Sequence, residues 1–80
     1  MPKLTLYHTA GCHLCEQAKA LILTHLDHNN LAQGCLELAD IAEDNALYER
    51  YGVLIPVLRI EATNQELHWP FGLDDLQRLL

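Results

Sequence analysis

The sequence predicts an α/β domain in which a mixed four-stranded sheet is covered by helices, in the order β-α-β-α-β-β-α. Three observations predict it. An alternating segment at residues 4–8 gives way, across Ala10-Gly11, to a stretch of helical spacing. A second apolar segment at residues 35–41 is again followed by a short helical pattern. The last third holds two short strand-like runs around a turn and then a helical stripe. Two βα units followed by a hairpin and a helix suggest a mixed sheet between helices.

Each element has its own grounds. Leu4-Thr5-Leu6-Tyr7-His8 alternates and ends at a turn signal. From Cys12 the period changes: Leu14, Ala18, Leu21, Ile22 and Leu26 recur at helical spacing, and the helix should fray in Asp27-His28-Asn29-Asn30. Residues 35–41 (CLELADI) read as the second strand. Asp44 is a good N-cap for a helix that carries Leu47 and Tyr51 on one face and stops at Gly52. Residues 56–61 and 66–69 read as two strands around a turn at 62–65, and Pro70 confines the last strand to a sheet edge or a strand end. Finally Leu73, Leu76 and Leu80 form a stripe, with Asp74 and Asp75 at the positive end of that helix.

Composition narrows the function. Eighty residues make one domain, residues 1–80. A chain this short buries only about 60 % of its unfolded surface. No apolar run approaches the roughly 20 residues a membrane span needs, so no membrane association is expected. The first twelve residues hold one lysine and an alternating pattern, which does not read as an export signal; the cytoplasm is the expected compartment. Five basic residues stand against eleven acidic ones, for a net charge of −6, and the basic ones form no run. Nucleic acid, which wants a basic face, is not an expected partner. The expected state is a monomer.

The three cysteines are an odd number for a disulfide scaffold, which directs attention to the one close pair, Cys12 and Cys15. Residues three apart on a helix lie about 5 Å apart, inside the disulfide window. A thiol at a helix N-terminus also meets unpaired N–H groups and the positive end of the dipole. A dipole contribution of about 1 kcal/mol, with N–H bonds to sulfur and a protonated His13, would carry Cys12 from the ordinary thiol range toward neutrality. Cys12 is the expected attacking thiol, and Cys15, nearer the core, the expected resolving thiol. Two alternatives stay open here. One is a zinc module using the pair with His8, His13 or Cys35, although there is no second C-x-x-C, and His8 and His13, five apart, flank the pair rather than forming a second one. The other is a pair of inert, buried thiols in an interaction domain.

At these residues the chain resembles the glutaredoxin-like members of the thioredoxin superfamily. Leu4-Thr5-Leu6-Tyr7 followed by Gly11-Cys12-His13-Leu14-Cys15 resembles the family's first strand and active-site turn. Residues 51–58 (YGVLIPVL) and 71–76 (FGLDDL) resemble its proline-bearing segment and the start of its last helix. The resemblance implies a thioredoxin-like, three-layer α/β/α sandwich and a thiol–disulfide oxidoreductase. It implies a cis bond before Pro56, Ile55 backbone groups that pair with a thiol substrate, and a glutathione-holding segment at Gly72, Leu73 and Asp74. His13 joins these as a candidate substrate-contacting residue. The implied partner is a disulfide-containing protein or a glutathione mixed disulfide; no cofactor or metal is expected beyond glutathione as co-substrate. Three departures bear on glutathione. His13-Leu14 stand where Pro-Tyr is common, Thr9 stands where many relatives carry lysine, and Phe71 replaces a glycine and is expected to crowd the groove. Each change removes charge or space that the tripeptide uses.

Other residues have plainer roles. Cys35 is read as a small buried hydrophobe. His25 and His28 suit the negative end of the first helix. Trp69 and Phe71 are core or groove aromatics, and Asp40 and Asp44 are capping or turn residues. His8, at the end of the first strand, is a half-exposed strand histidine or a proton relay.

Overall fold

The alternation at residues 4–8 forms β1 (Leu4–His8), an inner strand of a four-stranded sheet. The computed structural model describes residues 3–80; the first two residues, part of the stretch read above for an export signal, lie outside the described residues. The chain continues through α1 (His13–His28), β2 (Leu36–Asp40), α2 (Asn45–Tyr51), β3 (Val57–Ile60), β4 (Gln65–His68) and α3 (Leu73–Leu79). Single 3-10 turns at Gln33–Cys35 and Ile41–Glu43 bracket β2. The strand order is β2-β1-β3-β4; β2 runs parallel to β1, and the other two pairings are antiparallel.

Period-two alternation splits the interior into two cores. Leu4 and Leu6 pair across the sheet with Ile60 and Leu58. On that face Ala18, Ile22 and Leu26 of α1, spaced four apart, and Leu76 of α3 close the larger core, and Phe71 joins them. The opposite face presents Tyr7 and Val57, which pack with Ile41 and Tyr51 under α2. Helices therefore cover both faces, the expected three-layer α/β/α arrangement.

Element ends differ from the sequence expectations for local reasons. Helix α1 runs on to His28 because Asn29 closes it: its backbone N–H and side-chain amide both donate to the His25 carbonyl, at 3.2 and 2.8 Å. His25 itself is buried, its Nδ1 3.3 Å from the Asn29 amide nitrogen, so it packs inside the helix end rather than capping it from solvent. Strand β2 is shorter than residues 35–41 because Cys35 belongs to the turn before it and Ile41 to the turn after it. Ile41 is nevertheless core, and an apolar residue in a turn cannot be told from a strand residue by pattern alone. The Asp40 carboxylate accepts the Ala42 N–H at 2.9 Å, and that of Asp44 accepts the Ala46 and Leu47 N–H groups, so both act as caps.

Tyr51 ties α2 to the rest of the molecule. Its ring stacks on Tyr7 with centroids 4.2 Å apart, and its hydroxyl donates to Glu66 of β4. Burial, then the hydrogen bond to Glu66 and that carboxylate's charge, push its pKa up to about 12. Its carbonyl accepts the N–H groups of Leu54 and Ile55 at 2.8 and 3.2 Å, which anchors the loop into β3. Gly52 begins that loop with its Cα facing the Tyr48 carbonyl so closely that a Cβ would lie 2.5 Å from the oxygen. Here close approach, not left-handed geometry, calls for glycine. Strand β4 lies at the sheet edge, and Pro70 follows it, as its missing N–H requires.

Candidate active site

Strand β1 ends at His8, and the chain must turn sharply to start α1. Gly11 makes the turn at φ +77°, a conformation that side chains with a Cβ rarely adopt. Cys12 follows in an extended conformation as the N-cap of α1, and its Sγ accepts the Cys15 N–H at 3.2 Å. The first helical residues leave N–H groups without intrahelical partners, so the cysteine sulfur does what a Ser or Asp oxygen does at other helix starts. The two Cα atoms are 5.2 Å apart and the sulfurs form a disulfide. Cys15 is buried, whereas Cys12 is half-buried, so Cys12 is the sulfur that solvent meets.

The same end of the sheet gathers the other predicted residues. Because Tyr7 pairs with Val57, the next step of the register sets Pro56 opposite His8. Pro56 is buried, and the Ile55–Pro56 peptide is cis, as the resemblance implied. The Ile55 N–H is already given to Tyr51, which leaves its carbonyl as the group that could pair with a substrate. Since Val57 also pairs with His68, β4 ends on this side too, and α3 starts here. Gly72 caps α3 and donates its N–H to the Asp75 carboxylate at 2.8 Å; Leu73 is half-buried and Asp74 exposed. A second cis bond, Trp69–Pro70, lies in the same connection and was not anticipated from sequence.

Of the two places read for Phe71, core and groove, the structure has the core. Phe71 is only 6 % exposed and joins the α1/α3 core, with Trp69 edge-on to it at 5.1 Å. Its ring is spent on packing and does not fill the groove. His13 is 94 % exposed, with Nδ1 3.8 Å from Glu16 of the next turn. The structure also reveals a cleft of about 190 Å³ on the α1 side of the sheet. Its walls include Leu6, His8, Gly11, Cys15, Lys19 and Leu38. Lys19 was not singled out from sequence, although its place four residues after Cys15 on a helix was signal enough.

Cys35 lies away from all of this. It precedes Leu36, which pairs with Leu4, whereas Cys12 lies beyond His8, so roughly 16 Å of strand separates them. Among the described residues no group of three or more His, Cys, Asp or Glu side chains is placed to hold a metal. Among them, too, no helix is long and apolar enough to cross a membrane.

A C-x-x-C pair at the start of the first helix of such a sandwich, with a cis-proline at the same end of the sheet, is a thioredoxin-like arrangement. Comparison places it more closely. The chain belongs to the glutaredoxin-like domain family (DUF836), whose profile matches residues 3–80. Among solved structures it is similar to the structural-genomics target protein XcR50 from X. campestris, at 36 % identity and a TM-score of 0.72, with 94 % of this chain and 91 % of that chain covered. It is similar to protein Ne2328 from Nitrosomonas europaea, at 29 % identity and a TM-score of 0.80 over 99 % and 91 % of the two chains. The thioredoxin-like protein BC3987 matches at 25 % identity and a TM-score of 0.60, over 98 % and 100 %. No curated protein matches.

Proposed function

We propose that this protein is a thiol–disulfide oxidoreductase in which Cys12 attacks a disulfide and Cys15 resolves the mixed disulfide. The observation that carries the reading is the Cys12 sulfur at the N-cap of α1, accepting the Cys15 N–H with the second sulfur one turn away. A thiolate there keeps that hydrogen bond and faces the positive end of a sixteen-residue helix. Cys15, one turn inward, is close enough to displace the partner without backbone rearrangement. The carbonyl of Ile55, beside Pro56, is the backbone acceptor for the substrate chain.

The substrate in this reading is a protein disulfide rather than a glutathione mixed disulfide. Thr9, where many relatives carry lysine, offers no cation to a glutathione carboxylate. Leu14 in the first turn of α1, and Val53 and Leu54 in the loop before β3, are instead exposed, which suits a partner with apolar side chains beside its disulfide. A reducing compartment such as the cytoplasm fits a pair that must be returned to the dithiol. Iodoacetamide labelling of the reduced protein against pH tests the attacking thiol, with mass spectrometry locating the adduct. The expected result is labelling at Cys12 with a half-point well below the usual thiol range; a half-point at about 8.5 or above removes the basis for the reading.

A further inference from the structure

We propose that His8 accepts the proton of Cys15 during the resolving step and passes it to the departing thiolate; this rests on the dithiol reading above. The need follows from burial. Cys15 is 3 % exposed, and burial disfavours the thiolate, which is the form that attacks. The Cys12 sulfur has helix N–H groups to stabilise its charge, whereas the Cys15 sulfur lies a turn further in. A proton on Cys15 therefore needs an acceptor within the protein.

The cleft supplies the place. It opens on the α1 side of the sheet, the side opposite α2, and Cys15 and His8 both form its walls. Alternation along β1 turns His8 to the same face as Leu4 and Leu6, the face α1 covers. The other polar groups around His8 are poor acceptors. Lys19, also in the wall, carries an ammonium with no lone pair. Glu16, also in the wall, has its carboxylate 3.8 Å from His13, and the Asp40 carboxylate, opposite His8 on β2, accepts the Ala42 N–H; a carboxylate is in any case a weaker base than imidazole. On the β3 side the register position opposite His8 is Pro56, which brings no titratable group. An imidazole nitrogen both takes up and gives back a proton near neutral pH. In the step itself, the Cys15 S–H proton moves to the imidazole and the Cys15 sulfur attacks the Cys12 sulfur. The Cys12–Cys15 bond forms, the bond from Cys12 to the partner sulfur breaks, and the partner leaves as a thiolate that takes the proton from the imidazolium. The partner is reduced, the cysteine pair is oxidised, and His8 ends as it began.

Stopped-flow reaction of the reduced protein with 5,5′-dithiobis(2-nitrobenzoate) separates the two steps. In a Cys35→Ser background, which removes the third thiol, the first nitrothiobenzoate released reports attack by Cys12 and the second reports resolution by Cys15. His8→Gln is expected to slow the second phase by at least about 100-fold at pH 7 while leaving the first within two-fold, with the loss shrinking toward high pH. His8→Ala is expected to show the same split, and added imidazole, entering the cleft, to restore the second phase. An unchanged first phase shows that each variant is folded around Cys12. A second phase that is insensitive to His8, or both phases slowed together without imidazole rescue, overturns the role of His8. A Cys35→Ser protein that retains His8 but shows no second phase overturns the dithiol reading instead.

Discussion

At the scale of single residues, the site depends on one substitution of sulfur for oxygen. The N-cap position of a helix usually holds Ser, Thr, Asp or Asn, and here the same hydrogen bond ends on a cysteine. Its partner cysteine lies inside the helix and is buried, and the proposed exchange divides the labour between them on that difference. Replacement of Cys15 by Ser leaves the attacking thiol and its cap but removes the resolving sulfur. Incubation of C15S with a protein disulfide is therefore expected to stop at a stable mixed disulfide on Cys12, visible as one added mass that dithiothreitol removes. Turnover by C15S equal to that of the wild type would mean that Cys15 takes no part. The two cysteines were legible in the sequence because their spacing and the Gly11 turn are local facts. Phe71 was legible only as a core or groove aromatic, because the direction of a side chain after a proline is decided by the core it meets. His8 was legible as a strand histidine or a proton relay near the pair, but the cleft it shares with Cys15 was not, since only the packed α1 forms it.

At the scale of elements, the short helix α2 does more than cover a face of the sheet. It holds Tyr51, and Tyr51 holds both the Tyr7 ring and the loop that delivers Pro56. A helix of seven residues has little stability of its own and relies on its cap and its packing. Asp44→Ala, which leaves the Ala46 and Leu47 N–H groups without their carboxylate, is expected to cost about 1 kcal/mol in urea unfolding. No change in the unfolding midpoint would mean that solvent replaces the cap in full. The order of elements and the two-sided burial were legible, since period two and period 3.6 alternate along the chain. The ends were less so. Asn29 and Cys35 show why: one closes a helix through two bonds to a single carbonyl, and the other packs from a turn as a strand residue would.

At the scale of the whole molecule, the chain's connections place nearly all its chemistry at one end. Strands β1 and β2 finish there, β3 starts there, and β4 returns there to begin α3. The face away from α1 has another task, since Tyr51, Glu66 and Arg59 link α2, β4 and β3 across it. Tyr51 is an acid whose proton is held more firmly in the folded than in the unfolded chain. Its contribution to stability is full below the ordinary tyrosine range and is lost as pH rises toward about 12. Denaturation of the wild type and of Tyr51→Phe across this interval is expected to show a steeper decline for the wild type. Equal slopes would mean that the hydroxyl keeps no advantage on folding.

The gathering of function at one end leaves the opposite end with a single thiol, Cys35, beyond the reach of the reactive pair. In the oxidised protein the pair is masked as a disulfide, so Cys35 is the one sulfhydryl left to react with a maleimide dye. A fluorophore attached there and followed by reduction would give a reporter fixed to the far pole of the domain, with the business end left chemically untouched.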